Sequence, residues 1–426
     1  MDNTKFSQMI DDFSLDSDQI KEIAASFRYD IDRGLDDSGE SSLRMLKSYI
    51  GLPTGEEQGE FLALDFGGTN LRVVRIRLEG SGKFTIVKKV AKPLVVPGEY
   101  DFICNKAHAE ELFDFIADMV DEAIDGDHDK AYLLGHTFSF PSEQTDIYNA
   151  RLIIWTKEFA TQGVEGKVVN DLLKEALARK NLANVEPVAV INDTVAVLLA
   201  AAYKLGNVNI GSIYATGHNT CYYETYAKEG KPPMVINMES GGFDKLAINH
   251  YDYTLDQKSE KPYEQRLEKM VSGRYMGELL ALCLKDAWQV DVDFTSIDIS
   301  TILADNTDEL AAVCKLLAEK TKAEITTDDA VWVKALAETI AARSARIVTA
   351  TYCGIMWHLY PNGGIPKQYI AVDGSVFEKM PTIKENMQKA IYEILGDESD
   401  KLELILENGG SALGAALAAA MEPVQG

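Results

Sequence analysis

Near the start of the chain, apolar residues recur at helical spacing: Phe6, Ile10 and Phe13, then Ile20, Ile23 and Phe27. This predicts one or two amphipathic helices over 5–29 with an acidic outer face. Ser41 to Ile50 reads as a further short helix, ended by Gly51 and the turn Leu52-Pro53-Thr54-Gly55. The period then changes. Phe61-Leu62-Ala63-Leu64 is continuously apolar, and Leu71, Val73, Ile76 and Leu78 are interleaved with Arg72, Arg75 and Arg77, so a buried strand, a glycine turn and a half-exposed strand are expected. Helical spacing returns over 107–124 and 168–177, and Val188 to Ile191 predicts a short buried strand. A second strand-turn-strand unit follows, with Ser212 to Ala215, the turn Thr216-Gly217-His218-Asn219, and Thr220 to Tyr226. It repeats the architecture of 61–78. Beyond it, helices are expected over 264–289, 308–320, 328–357 and 383–395, with strands at 368–372 and 402–406. The small-residue run from Ser411 to Met421 predicts a closely packed terminal helix, and the alternation as a whole argues for an α/β fold.

At 426 residues the chain exceeds one small core, so two domains, or one large α/β domain with insertions, are expected. Lys and Arg number 42 against 67 Asp and Glu, a formal charge of −25 that repels nucleic acid and anionic membrane. Cys104, Cys221, Cys283, Cys314 and Cys353 are scattered without a C-x-x-C pair, which suits free thiols in a reducing cytosol and argues against a zinc site. The acidic opening residues lack the basic and apolar regions of a secretory signal, and no run reaches the ~20 apolar residues of a membrane span. The expected location is cytoplasmic.

Candidate chemistry gathers at the turns. Asp65-Phe66-Gly67-Gly68-Thr69-Asn70-Leu71-Arg72 lies between two predicted strands, where paired glycines let backbone N–H groups approach a phosphate. Asp65, at the strand end, is placed to hold a hydrated Mg²⁺, and Arg72 to neutralise a transferring phosphoryl group; a plain glycine hairpin with a charged rim fits the same pattern. Asp65-Phe66-Gly67 spells the protein-kinase metal motif, but too little chain precedes it and no H-R-D occurs. Gly163 to Val168 lacks the spacing and hydroxyl of a P-loop, and Asp125, Asp127 and Asp129 lack the glycine and glutamate of a calcium loop. Asp193 directly follows a buried strand and opens an apolar helix, which makes it a candidate base or, equally, an N-cap. The stretch from Phe138-Ser139 to Trp155-Thr156-Lys157 offers hydroxyls and one cation in an apolar setting that suits a polyhydroxylated ligand. Glu239 and Glu278, near glycine-bearing turns, are either sugar-hydroxyl acceptors or ordinary surface residues.

Taken together and in this order, these segments resemble the hexokinase family, within the sugar kinase, actin and heat-shock chaperone superfamily. The likeness runs from SSLRMLKSYIGLPTGEEQGEFLALDFGGTNLRVV through TFSFPSEQTDIYNARLIIWTKEF, VINDTVAVLLAAAY, ATGHNTCYYE, NMESGGF and SGRYMGELL to AVDGSVF. It implies a duplicated actin-like (ribonuclease H-like) α/β fold, with two domains around a central cleft. Residues 52–193 with a C-terminal helix at 412–426 would form the small domain, and 1–51 with 194–411 the large one. It further implies that Ser139, Thr156, Lys157, Asn192, Asp193, Asn219, Glu239 and Glu278 bind hexose hydroxyls, with Asp193 as catalytic base aided by Lys157 and Arg72. Gly67, Gly68, Thr69, Asn70, Arg72, Thr216 and Gly217 would hold the phosphates of ATP, and Asp373, Gly374, Ser375, Gly410 and Ser411 would lie near its adenosine, with Asp65 meeting Mg²⁺ through water. The implied partners are a hexose, glucose first, and MgATP. Three positions and one loop depart from the family pattern: Ala215 where Gly is usual, Ser240 for Trp, Glu158 for Gly, and the loop 409–414. A catalytically silent sugar-binding regulator on the same fold, and an actin-like ATPase, are the competing expectations.

Overall fold

The computed structural model describes residues 2–36, 39–68, 70–156, 159–225 and 232–424. The chain forms two compact units. The first comprises Met1–Met45, Ser212–Thr220 and Met238–Leu406, and the second Leu46–Gly211, Cys221–Asn237 and Glu407–Gly426.

The second unit is built on a five-stranded sheet in the order Val185–Ile191, Tyr132–Phe138, Gln58–Phe66, Asn70–Gly80, Lys83–Pro93. The first three strands run parallel, and each of the last two is antiparallel to the strand before it. Side chains alternate across a sheet, and here the alternation sorts them by size. Leu62, Leu64, Phe66, Leu71 and Val73 form a core with Leu112, Phe113 and Ile116 of the helix Ala109–Ala123 and with Leu173 and Leu177 of the helix Val169–Arg179. Ala63 and Gly135, paired in register, lie on the other face, where the helix Gly410–Ala420 comes so close that a Cβ on Gly135 would lie 1.8 Å from the Ala415 carbonyl oxygen. The same helix meets Asp193–Leu205 through Gly414, whose Cβ would fall 2.3 Å from the Ala196 oxygen. The expected closely packed terminal helix is therefore present, and its close contacts require glycine on both sides.

A six-stranded sheet has the order Leu46–Lys47, Met234–Asn237, His218–Glu224, Val208–Tyr214, Gln368–Asp373, Leu402–Leu406. Its turn-bearing strand ends, Ser212–Thr220, belong to the first unit. The rest of that unit is mainly helical. Its axis is the helix Thr327–Leu359, opened by a Thr326/Asp329 capping box and buried along most of its length. Ile20 and Ala24 of the helix Ser17–Leu35 and Ala390 and Ile394 of Ile383–Leu395 share a core with its Ala350 and Cys353.

Two expectations need correcting. The stretch from Ser41 to Ile50 is not helical: Ser42 bonds to the buried Asp30, Met45 and Tyr49 take left-handed backbone at φ 48° and 55°, and Leu46–Lys47 pairs antiparallel with Ile236 and Asn237. The helix expected over 264–289 is broken at Ser272 into Arg266–Val271 and Gly273–Trp288. Asp125, Asp127 and Asp129 lie in an exposed turn, where Asp125 binds Arg75 and Lys88. Cys221, Cys283 and Cys353 are buried free thiols. Among the described residues, no helix is long and apolar enough to cross a membrane.

Candidate active site

In the second unit the chemistry stands at the carboxyl ends of three adjacent parallel strands, the usual ligand position in such sheets. Gln58–Phe66 delivers Asp65 and Gly67, Tyr132–Phe138 delivers Ser139, and Val185–Ile191 delivers Asn192 and Asp193. The Ser139 hydroxyl donates to Asp193 Oδ2 at 3.0 Å. A Cβ on Gly67 would come within 3.3 Å of that same hydroxyl, so the first glycine turn passes directly over it. Gly68 follows at φ 92°, a conformation that glycine adopts without strain. Asn70 opens the strand Asn70–Gly80.

The two readings of Asp193 are separated by the cap. The N-cap is Asn192, whose Oδ1 accepts from Thr194 N at 2.9 Å and Thr194 Oγ1 at 2.7 Å. Asp193 is the first helical residue, which frees its carboxylate from the capping role while its Oδ1 accepts from Thr194 N at 2.8 Å. Arg72 Nη1 donates to Asp65 Oδ2 at 2.8 Å, across the strand pair in which the two residues are register partners. Thr137 Oγ1 reaches Asp65 Oδ1 at 3.2 Å. Each carboxylate oxygen keeps lone-pair capacity, so Asp65 fits a hydrated cation arriving with a ligand. Among the described residues, no group of three or more His, Cys, Asp or Glu is arranged to hold a metal ion by itself.

Thr156 is carried on a loop anchored by stacked rings. Trp155 packs on Phe159 at 5.0 Å and edge-on to Phe140 at 4.7 Å, and its Nε1 donates to the Thr161 carbonyl at 2.9 Å. Thr69, Lys157 and Glu158 lie outside the described residues. Gly410 and Ser411 open the terminal helix after the left-handed Gly409. Nearby, Cys221 is buried and its thiol is pushed up to about 12 by desolvation, so it remains protonated and supplies no nucleophile.

In the first unit, Asn219 is the hub. Its Nδ2 donates to Glu239 Oε1 at 3.3 Å, and its Oδ1 accepts from Thr220 N at 2.7 Å and Ser240 N at 3.1 Å. Glu239 is held at φ 51°, ψ 51°, and Gln265, another left-handed residue at φ 54°, stands opposite: a Cβ on Gly241 would meet Gln265 Oε1 at 2.5 Å. Left-handed backbone at residues other than glycine costs on the order of 1 kcal/mol each and persists where surroundings over-determine it, commonly at functional sites. The second turn is fixed from behind, since Gly273 N donates to the Ala215 carbonyl at 2.8 Å and Arg274 N to that of Thr216 at 3.3 Å. His218 N donates to Glu268 Oε2 at 3.0 Å, and a Cβ on Gly217 would meet the same oxygen at 3.0 Å. Gly374, at φ 131°, sets Asp373 and Ser375 beside this turn. A Cβ on Gly374 would lie 2.4 Å from the Tyr214 oxygen and 2.8 Å from the Ala215 methyl, so the extra methyl of Ala215 fits because residue 374 has none.

Hexokinase family profiles match residues 5–203 and 209–421. The chain is 34% identical over 449 residues to a hexokinase-2 of Candida albicans, covering 96% of this chain and 90% of that one. A crystal structure of a hexokinase superimposes with a TM-score of 0.89 at 31% identity, covering 98% and 99% of the two chains. The chain belongs to the hexokinase family. The Schistosoma mansoni hexokinase solved in complex with glucose matches with a TM-score of 0.82 at 30% identity, covering 98% of each chain. With the family come the duplicated actin-like α/β fold and a phosphotransferase acting on sugars.

The second glutamate expected at the sugar, Glu278, has a different setting from Glu239, which bonds to Asn219. Glu278 is exposed on the helix Gly273–Trp288, one turn beyond Arg274, and pairs with it at 3.3 Å. Another carboxylate, Glu268, stands at the second turn: it accepts from His218 N, and its Cβ lies 3.1 Å from where a Cβ on Gly241 would fall. Glu268 went unnoticed in the sequence because it sits in a six-residue helix of ordinary composition. The available signal was the following Ser272-Gly273 break, which makes that helix a separate short piece aimed at the turn.

Proposed function

We propose that this chain transfers the γ-phosphoryl group of ATP to the C6 hydroxyl of a hexose, glucose foremost, giving hexose 6-phosphate and ADP for glycolysis in the cytoplasm. The observation that carries the reading is the Ser139–Asp193 hydrogen bond at the strand ends, directly under the Gly67-Gly68 turn. In this reading Asp193 orients the C6 hydroxyl and accepts its proton late, because phosphoryl transfer passes through a loose transition state that asks little of the base. Ser139 holds the carboxylate in place. Arg72 and Lys157, with the amides of residues 67–70 and of Thr216 and Gly217, stabilise charge on the phosphoryl oxygens. Mg²⁺ arriving with ATP neutralises the phosphate charge, and Asp65 is the residue to meet it through water. Thr156, Lys157, Asn192, Asn219 and Glu239 are assigned to the sugar hydroxyls, with Glu268 in place of Glu278. Asp373, Gly374, Ser375, Gly410 and Ser411 are assigned to the adenosine side.

The test is a coupled ADP-release assay with ATP and glucose, fructose, mannose or N-acetylglucosamine, with and without Mg²⁺. ADP release that requires both an accepted hexose and Mg²⁺ supports the reading. Equal release without sugar points to an ATPase, and sugar binding without any release points to a silent regulator.

A further inference from the structure

Glu239 sits in strained backbone, and its conformation is maintained by what surrounds the segment Met238–Lys245. Upstream, Met238 N donates to the Thr220 carbonyl at 3.1 Å, and the Met238 carbonyl accepts from Arg44 N at 3.0 Å. Downstream, Asp244 N donates to Ser42 Oγ at 3.2 Å, and a Cβ on Gly242 would lie 3.2 Å from the Ser42 carbonyl oxygen. The outer wall of the segment is therefore the loop Ser41–Arg44. That loop is held in turn by Asp30, a fully buried carboxylate on the helix Ser17–Leu35. Asp30 accepts from Ser42 N at 3.0 Å and from the Ser42 hydroxyl, and its own carbonyl accepts from Ser41 Oγ at 2.8 Å. It also pairs with Lys245 at 2.5 Å, directly gripping the far end of the Glu239 segment. Phe27, one turn earlier on the same helix, packs edge-on against Phe243 at 4.9 Å.

A buried charge is costly unless it is paired and hydrogen-bonded, and here every named partner of the carboxylate lies on one of the two segments that bracket Glu239. We infer that Asp30 is a positioning residue for the sugar-binding carboxylate: by tying Ser42 and Lys245 together it holds the Glu239 turn in its left-handed form. The inference rests on the reading that Glu239 contacts the sugar. Asp30 itself touches no substrate.

The experiment uses the full chain with Asp30→Asn, Lys245→Met and Lys245→Arg. It measures kcat, KM for glucose, KM for MgATP, the thermal midpoint, and glucose binding by calorimetry. Lys245 is partly exposed, so its variants fold even if the core substitution does not. The expected result is a glucose KM raised roughly tenfold in Lys245→Met and Asp30→Asn, the equivalent of about one lost hydrogen bond, with the MgATP KM within about twofold of wild type. Lys245→Arg, which keeps the charge and reach, restores the glucose KM. A glucose KM unchanged while the thermal midpoint falls, or glucose and MgATP KM values rising together, would overturn the inference. If wild type releases no ADP with any sugar, the proposed reaction fails by itself and glucose affinity becomes the readout. The same tenfold weakening in Lys245→Met then sustains the positioning role, and absent or unaltered glucose binding refutes it.

Discussion

Asp193 and Asn192 divide between them two tasks that one residue would perform poorly together. Capping engages the side-chain oxygen of Asn192, while the carboxylate one position on accepts from Ser139 and from Thr194 N. The two substitutions should therefore separate. Asp193→Asn is expected to lower kcat by roughly 10²–10⁴, the range for loss of a general base, with the thermal midpoint near wild type. Asn192→Ala keeps the base but should cost about 1 kcal/mol of stability, as lost N-caps do, and raise the glucose KM because Asn192 is also assigned to the sugar hydroxyls. Loss of the midpoint in Asp193→Asn, with kcat retained, would reverse the assignment. The two glutamates give a second contrast. Glu268→Gln should raise the glucose KM roughly tenfold or more, since charge-assisted hydrogen bonds are the strong ones. Glu278→Gln removes only an exposed i,i+4 ion pair and should leave KM within about twofold. Equal effects in steady-state kinetics would put both in the site. The position of Asp193 at a strand end was legible because a carboxylate after a buried strand has a fixed place in an α/β sheet. Glu268 was not, because its neighbours Gly217 and Gly241 are brought to it from distant parts of the chain.

At the scale of elements, position in the sheet decided what could be read. Gln58–Phe66 and Asn70–Gly80 announced themselves by their apolar pattern, whereas Lys83–Pro93, an edge strand, went unassigned because lysines at 83, 88, 89 and 92 mask its alternation. Charged residues on an edge strand oppose pairing with other chains, so the same feature that hides the strand protects it. Ser41 to Ile50 was misread for a different reason: its local propensity for helix is overridden by Asp30, a contact that no periodicity reports. The terminal helix was legible as closely packed, but its partners were not. Gly135 and Gly414 are the points where it touches the sheet and the Asp193 helix. Gly135→Ala should thus destabilise the protein by about 3 kcal/mol or more, because the obstructing atom is backbone and cannot rotate away. Gly126→Ala, in an exposed turn where a Cβ meets nothing within 4 Å among the described residues, carries only the cost of its φ of 68° and serves as the control. Similar urea midpoints for the two variants would show that the helix does not press on the strand as described.

For the molecule as a whole, the excess of acid hides a sensitivity that comes from two histidines. His136 in the second unit and His218 in the first are both buried, and desolvation lowers their pKa values to about 3 and about 4. Each folded unit thus holds its histidine neutral, while the unfolded chain takes up protons below about pH 6.5. The unfolded state then binds more protons than the folded one, so stability falls as pH drops from about 6.5 toward 4, by roughly 1.4 kcal/mol per pH unit for each histidine. Carboxylates with lowered values, such as Asp305 at about 2 and Asp256, keep their contribution until lower pH and leave this window to the histidines. Glu407, raised by burial despite its pairing with Lys204, works the other way: its protonation at falling pH favours the folded state and partly offsets the loss. His136 packs on Phe66 and Phe138, with both ring nitrogens buried and without hydrogen-bond partners among the described residues. His136→Phe therefore removes one titrating group and an unsatisfied polar one while keeping an aromatic ring in place. Thermal midpoints measured between pH 7 and 4.5 should fall less in this variant than in wild type. An equal fall in both would mean that carboxylates, not buried imidazoles, set the acid limit of the fold.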